Sequence, residues 1–338
     1  MKLSVLIPTY ARPIAINQCL AHLAAQVCTH PFEIIIGLDG PAPTTPDPLI
    51  PDSICLITTI LRLDHSGLIA VRKKMLDHAT GQLILWLNDD SYAHPNLLQT
   101  HIDLHLQQTP CVIAGAAQWK PIAQSDHPNL FDLLVQRSDL LFFQPKANTT
   151  EPSPTNYRNC FGLNMSFDRK LAARVGNLPT LPESYGYEDI ELAYRLNQAG
   201  AQILHAPSAI VTHDHRYRPV DVHRREYLLG RSAWHFANIN PAFAHDLFKR
   251  DITAASYLDY IAQSLIHERR DALRIERSFL ALADQPANSI NPGNQPMLDL
   301  LAQHWVPLKR YLWRQGLLDS SRSISPRWSL LQDSLADQ

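Results

Sequence analysis

Leu83-Ile84-Leu85-Trp86-Leu87-Asn88-Asp89-Asp90-Ser91 is the stretch that decides the fold. Five apolar residues in a row suit a strand buried on both faces, as in a parallel sheet. Two carboxylates follow at once, at the carboxyl end of that strand, where open α/β sheets bind their ligands. Side by side and bare, the two acids repel. A hard divalent cation relieves the repulsion. Mn²⁺ and Mg²⁺ take oxygen ligands and commonly bind one or two carboxylates together with substrate phosphates. An Asp-Asp step also serves as a turn and helix cap, but the position at a strand end favours the ligand-binding reading.

Outward from this strand the pattern repeats. Leu3 to Tyr10 is a short apolar run broken by Pro8. Pro13 suits a helix start, and Ile16, Cys19, Leu20, Leu23 and Ala24 follow at helical spacing. Phe32 to Gly40 is a second strand, so the opening reads as a βαβ unit. Pro41 to Asp52 is proline-rich loop. Ile54 to Leu63 has strand character, Leu68 to Ala79 and Asn96 to Gln108 are helical, and Cys111 to Ala117 is a strand. The fold class is therefore α/β, a doubly wound, mixed and mostly parallel sheet. Downstream, Cys160 to Phe167, Ala201 to His205 and Ala209 to His213 read as strands around a helix from Glu188 to Ala199. Lys120 to Asn156 is irregular apart from an amphipathic piece near Leu130 to Phe143. From Val222 the chain turns helical, with Arg224 to Asn238, Ala254 to His267 and Arg269 to Ala283 as amphipathic segments and Gln285 to Pro296 as a linker. The expected division is an α/β domain over 1–220 and a helical extension over 221–338.

The 338 residues carry a net charge of −2, with 45% hydrophobic and 18% charged residues. That balance excludes nucleic acid as the main partner, because binding a phosphate backbone needs a basic face. Cys19, Cys28, Cys55, Cys111 and Cys160 are scattered and odd in number, so neither a disulfide framework nor a zinc site is expected. No signal peptide or membrane-length apolar run is read. The expected location is the cytoplasm, or peripherally at the inner face of the membrane.

Other residues add chemistry. Asp39, ending the second strand, is placed to accept hydrogen bonds from a nucleobase or ribose. An Asp-Gly turn is its structural alternative. Glu188 and Asp189 open a helix, where the macrodipole favours acids. Gly186 precedes them between Tyr185 and Tyr187, two candidate sugar-stacking rings. A carboxylate base near an acceptor hydroxyl is what direct displacement at a sugar carbon requires. His213-Asp214-His215 follows a strand. His213, which ends the strand, is preferred over His215 as a metal ligand. Arg72 sits with Lys73 and Lys74 in a helix and is a candidate for the diphosphate. Trp86 reads as core.

In this order the pieces resemble the family 2 glycosyltransferases of the GT-A fold, including the branch whose C-terminal part resembles the family 7 galactosyltransferases. Ser4 to Tyr10 with Arg12 is similar to that family's first strand and nucleotide-binding loop, which implies donor contacts from Pro8, Thr9, Tyr10 and Arg12. Where the family has an acidic pair, Leu38-Asp39 keeps one acid, which implies base or ribose binding by Asp39. Ser66-Gly67-Leu68 with Ala70 and Arg72 resembles the family's Gly and Ala-Arg-Asn segment, with Lys73 in place of Asn. Asn88-Asp89-Asp90 matches its D-x-D element with Asn in the first place, which implies Asp90 as metal ligand and Asp89 as ribose contact. Tyr185 to Leu196 resembles its Glu-Asp helix. The resemblance implies Asp189 as catalytic base, Glu188 as acceptor contact, an acceptor site at Tyr185, Gly186 and Tyr187, and His213 as metal ligand. It covers residues 1 to 240.

The expected activity is transfer from a nucleotide-diphospho-sugar, a UDP-sugar by first choice, to a glycan, lipid-linked or other hydroxyl acceptor. The cofactor is Mn²⁺ or Mg²⁺, and inversion follows from a base without a second carboxylate placed as nucleophile. A nucleotidyltransferase is the rival enzyme, but Pro8 to Pro13 is not the glycine-rich basic loop that chemistry needs. A non-catalytic scaffold is the other rival. The helical tail is the candidate surface for a homodimer.

Overall fold

The computed structural model describes the chain except Ala42, Gln124, Ser125, residues 142–150 and 182–184, Pro292, Arg327 and residues 332–338. The elements begin with β1 (Leu3–Thr9), α1 (Pro13–Ala24), β2 (Phe32–Asp39), β3 (Thr58–Leu63), α2 (Leu68–His78), β4 (Leu83–Leu87) and β5 (Ser91–Ala93). Next come α3 (Leu97–Gln107), β6 (Cys111–Trp119), α4 (Leu130–Arg137), β7 (Ser153–Pro154), β8 (Asn164–Asp168), α5 (Arg169–Arg174), α6 (Glu188–Gln198) and β9 (Gln202–His213). Four helices finish the chain: α7 (Pro219–Ile239), α8 (Pro241–Phe248), α9 (Ala255–Leu282) and α10 (Gln295–Ser321).

The chain forms two compact units. One comprises Met1–Lys120, Gln144–Pro182 and Glu188–His215. The other comprises Pro121–Phe143, Glu183–Tyr187 and Arg216–Gln338. A single cut at 220 thus misses 121–143, which group with the helices.

Among the described residues the nine strands all belong to the first unit. Their order is β3-β2-β1-β4-β8-β6-β9-β5, with β7 paired to β9. Strands β3, β2, β1 and β4 are parallel, β8 runs against β4 and β6, and β9 is parallel to β6. Hence β1, β2, β4 and β9 all end at the same edge, and β8 begins there. The apolar strands are buried on both sides: every residue of β1 and β4 is buried, as expected where helices cover a sheet. Trp86 lies in this core, edge-on to Phe167.

Three boundaries differ from the sequence reading. Residues 52–57 form a 3-10 turn, and the strand starts only at Thr58. The two pieces read between Ala201 and His213 are one strand, irregular where its pairing with β6 shifts between Gly115 and Ala116. The strand read from Cys160 starts at Asn164, because the preceding residues turn around Gly162.

In the second unit α9 is continuous through His267-Glu268-Arg269, where no Gly or Pro interrupts the helical period. The sequence reading put Gln295 and Pro296 in the linker and named no element over 297–321, since Pro296 and Pro307 mask the period, yet α10 spans both with Pro307 inside. Helices α7 and α10 cross backbone to backbone. A Cβ on Gly230 would lie 1.9 Å from the Trp313 carbonyl oxygen, and one on Gly316 1.9 Å from that of Tyr227. Only glycine permits such an approach. Among the described residues no helix is long and apolar enough to cross a membrane.

Candidate active site

The shared strand edge gathers the acids. Ser91, first residue of β5, pairs with His213, last residue of β9. The Asp214 N–H donates to the Asp90 carbonyl at 2.8 Å. That pairing brings Asp90 against the His-x-His segment, 123 residues later in the chain. The Asp90 Oδ1 lies 3.4 Å from His213 Nε2, and its Oδ2 lies 3.0 Å from His215 Nδ1. The side-chain donor atoms of Asp90, His213 and His215 all fall within 4.8 Å of one another. Buried Asp90 Oδ1 has no hydrogen-bond donor among the described residues. A buried carboxylate that meets one imidazole through each oxygen, one of those oxygens lacking a donor, fits a divalent cation, and imidazole suits Mn²⁺ better than Mg²⁺. Both histidines meet Asp90, so the earlier choice between them dissolves. The signal for His215 was the i, i+2 spacing beyond a strand end.

Arg12 and Thr9 hold the other half of this pair. Thr9 Oγ1 donates to Asp89 Oδ2 at 2.6 Å. Arg12 Nη1 reaches Asp89 Oδ1 at 2.9 Å and Asp90 Oδ2 at 2.8 Å. Burial, with Asp90 adding and Arg12 and Thr9 opposing, raises the Asp89 carboxyl to about 6. Burial also acts upward on Asp90. There the close approach of His213 and His215, with the charge of Arg12, wins and holds it well below the usual carboxylate range. Adjacent like charges thus settle at different proton affinities. Pro8 is buried in β1.

Asp39 ends β2 beside them, and its carboxylate is largely engaged by the chain itself. Its Oδ1 accepts from the Ser66 N–H at 2.7 Å and its Oδ2 from the Gly67 N–H at 3.1 Å. It thereby fixes the loop that starts α2. Above it Tyr10, 45% exposed, stacks on His65 with ring centroids 4.4 Å apart. Sequence reading did not single out His65.

The second acid pair opens α6. Glu188 is buried against Arg72, with Nη1 to Oε1 at 2.6 Å. Arg72 Nη2 also donates to the Gly162 carbonyl at 2.9 Å and to Asn88 Oδ1 at 3.3 Å, while its guanidinium lies 4.5 Å over the Trp86 ring. A Cβ at residue 162 would run into that guanidinium, so any other residue there would have to displace it. The Gly162 N–H in turn donates to Asp189 Oδ2 at 2.8 Å. One buried arginine therefore links the acidic strand end, through Asn88 and Gly162, to the start of the Glu188-Asp189 helix. This gives Arg72 and Glu188 an occupation that the sequence reading did not foresee. Each is 2% exposed and bonded to the other. Asp189 is half-buried and keeps an edge towards solvent. Burial, with Asp189 adding and Arg72 opposing, pushes the Glu188 carboxyl up to about 7.

Tyr185, Gly186 and Tyr187 belong to the helical unit. Tyr187 adopts φ 70°, a conformation uncommon for a bulky side chain. Its hydroxyl accepts from Trp313 Nε1 at 3.0 Å, and its ring meets Phe236 and Phe248 edge-on. That packing holds the unusual backbone and occupies the ring. Gly186, at φ 76°, stands between the two tyrosines. Tyr185 is 41% exposed, with its N–H bound to Ser232 Oγ. Of the two rings, Tyr185 is the one that offers a face.

A mixed α/β sheet with acids and a histidine at the carboxyl edge of β4 and β9 defines the GT-A class of glycosyltransferase, and the comparisons agree. Residues 4–172, half of the chain, match the family described as Glycosyl transferase family 2. The chain belongs to that family and is a glycosyltransferase. It is 24% identical over 248 residues to the glucosyl-dolichyl phosphate glucuronosyltransferase of Haloferax volcanii, covering 69% of this chain and 75% of that one. It is 26% identical over 218 residues to the validoxylamine A glucosyltransferase of Streptomyces hygroscopicus subsp. jinggangensis. That match covers 59% of this chain and spans about half, 52%, of the relative's length. Among solved structures, the mannosyltransferase PcManGT from Pyrobaculum calidifontis, in complex with GDP-Man and Mn²⁺, superposes with a TM-score of 0.56. At 17% identity, with 94% of this chain and 86% of that one covered, it shares the fold.

Proposed function

We propose that the chain transfers a sugar from a nucleotide-diphospho-sugar, a UDP-sugar, to an acceptor hydroxyl with inversion at the sugar carbon, and that the transfer depends on a divalent cation. The observation that carries the reading is the link Asn88–Arg72–Gly162–Asp189. It fixes a half-buried carboxylate, which accepts from the Gly162 N–H on one oxygen and from the Ile190 N–H on the other, relative to the acidic strand end. The nucleotide and Mn²⁺ bound to the fold neighbour PcManGT support a nucleotide-sugar donor.

Asp90, His213 and His215 are the residues that would hold Mn²⁺ or Mg²⁺. A cation there supplies Lewis-acid neutralisation of charge on the departing diphosphate. The remaining work falls to the chain. Tyr10, exposed at the rim, offers a stacking face for the base, and Asp39 shapes the loop beneath it. Asp89, held by Thr9, accepts from the ribose. Asp189 takes the proton from the acceptor hydroxyl as that oxygen forms its bond to the sugar carbon and the carbon–phosphate-oxygen bond breaks. Glu188 and Arg72 position Asp189.

The test is a screen of UDP- and GDP-sugars for release of nucleoside diphosphate, with Mn²⁺, with Mg²⁺ and with chelator. Metal-stimulated release that drops in Asp189→Asn supports the reading. Release that is indifferent to chelator and to Asp189→Asn overturns it.

A further inference from the structure

We propose that Arg12 competes with the divalent cation for the Asp89-Asp90 pair and yields it when a nucleoside diphosphate arrives, so that metal and nucleotide binding are coupled through this side chain. The inference rests on Asp90, His213 and His215 as the cation site, and it adds the regulation of that site.

The geometry sets up the competition. Arg12 Nη1 bridges Asp89 Oδ1 and Asp90 Oδ2, at 2.9 and 2.8 Å. Its Nη2 lies 3.2 Å from His215 Nδ1. Two of the atoms that would ligate a cation, Asp90 Oδ2 and His215 Nδ1, are thus engaged by the guanidinium. An imidazole nitrogen carries either one proton or one lone pair, so Nδ1 cannot bind a metal while it donates to Asp90 Oδ2 or accepts from Arg12. A guanidinium beside a dication also suffers like-charge repulsion. A cation that takes Asp90 and both histidines must therefore loosen Arg12.

Arg12 is built to let go. Its backbone is fixed where α1 begins, between Ala11 at φ 51° and Pro13 at the first helical position. Its side chain is 36% exposed and leaves towards solvent without disturbing the core. The planar fork that spans two carboxylates matches two phosphate oxygens equally well. A diphosphate arriving at this edge thus offers the released guanidinium a new bidentate partner. Because coupling is reciprocal, nucleotide then tightens the metal and metal tightens the nucleotide.

The experiment measures Mn²⁺ binding to the whole chain by electron paramagnetic resonance, with no nucleotide and with saturating UDP or GDP. Proteins are wild type, Arg12→Gln and Arg12→Lys. Without nucleotide, Arg12→Gln is expected to bind Mn²⁺ about 10-fold more tightly than wild type, a usual size for coupling between sites. The factor by which UDP or GDP tightens Mn²⁺ shrinks correspondingly. Arg12→Lys, a charge without the fork, falls between. If Arg12→Gln does not fold, Arg12→Lys carries the test alone. Variants that bind Mn²⁺ no better than wild type overturn the proposal while leaving the cation site standing. Absence of Mn²⁺ binding to all three proteins, with either nucleotide, overturns both the cation site and the competition.

Discussion

Asp89-Asp90 and Glu188-Asp189 are both adjacent acid pairs, and each pair meets one arginine, but the two arginines are built in opposite ways. Arg12 approaches Asp89 and Asp90 from the rim with a third of its side chain in solvent. Arg72 reaches Glu188 from inside, 2% exposed, stacked on Trp86 and bound to the Gly162 carbonyl. Each pair has one buried carboxylate oxygen without a hydrogen-bond partner among the described residues, Asp90 Oδ1 and Glu188 Oε2, but Asp90 stands against two histidines and Glu188 against one guanidinium. The second pair buries one carboxylate as an anchor and leaves its neighbour at the surface. Similar letters in a sequence therefore encode a grip for an exchangeable cation in one place and a fixed mount for a single reactive carboxylate in the other. The surroundings decide: a strand end beside a second strand end in the first case, a helix start over a buried guanidinium in the second.

The sharpest way to break this contrast is at Asp189. Asn at 189 keeps one acceptor oxygen for the Gly162 N–H and gives up the acceptor of the Ile190 N–H, so the link to Gly162 survives, but it cannot take a proton. We expect kcat to fall by about 10²–10⁴, with melting temperature and nucleotide affinity near those of wild type. A fall in stability with unchanged kcat would make Asp189 part of the mount.

Arg72 tests the other side of the comparison. Arg72→Met leaves Glu188 buried without its partner, which is expected to cost about 3–5 kcal/mol in denaturant unfolding. The double variant Arg72→Met, Glu188→Leu removes both charges together and should regain most of that loss. Activity should stay low in the double variant because Asp189 is no longer held through Gly162. Full activity in a stable double variant would show that Arg72 does nothing for Asp189.

Asp90→Asn is expected to weaken Mn²⁺ by about 100-fold, roughly 3 kcal/mol at 1.4 per decade. The same change should not affect the Arg72–Glu188 anchor, so unfolding in the presence of chelator separates the two arginine sites.

Most of the fold was legible, and so was the position of each acid pair, one after a strand end and one at a helix start. The continuous apolar runs of β1, β2 and β4 mark buried parallel strands directly, and the acids at their ends follow from the topology. The nearness of Asp90 to His213 could be expected only because both end strands, since the register of β5 on β9 that joins them is set over 123 residues and leaves no local mark. What was hidden is of one kind. Arg72 reads as a cation on a mixed helix face until Glu188, 116 residues away, and the cleared space at Gly162 are known. Tyr187 reads as a stacking ring until Trp313 and Phe248 enclose it. Burial by distant partners turns a functional-looking residue into a structural one, and no local period records it. Helix α10 escaped for a different reason, since its prolines break the pattern that reveals the rest.

The smallest expected effect uses the protons of the buried pair. The Glu188 carboxyl is raised from 4.5 to about 7, first by burial and then by the charge of Asp189. A carboxyl with a higher affinity in the folded chain binds more protons folded than unfolded. Folding therefore gains from it in full below pH 4.5, and the gain drains away as pH rises through about 7. Over that window the loss is at most ~3 kcal/mol, from 1.4 kcal/mol per unit. Buried His101 and His223, both held near 4, act in the opposite sense. Their contribution is present above 6.5 and lost as pH falls. Asp89, near 6, acts in the same sense as Glu188. The total curve mixes these groups, so the readout is the difference between wild type and Glu188→Gln. Gln keeps an oxygen for Arg72 and does not titrate. From pH 5 to 7.5 the wild-type melting temperature should fall relative to the variant, and the gap should be flat below pH 4.5 and above pH 8. A gap that does not change with pH would mean that Arg72 keeps Glu188 ionised throughout. The second pair would then be a fixed ion pair, closer in kind to Arg12 and its two aspartates than the contrast drawn between them.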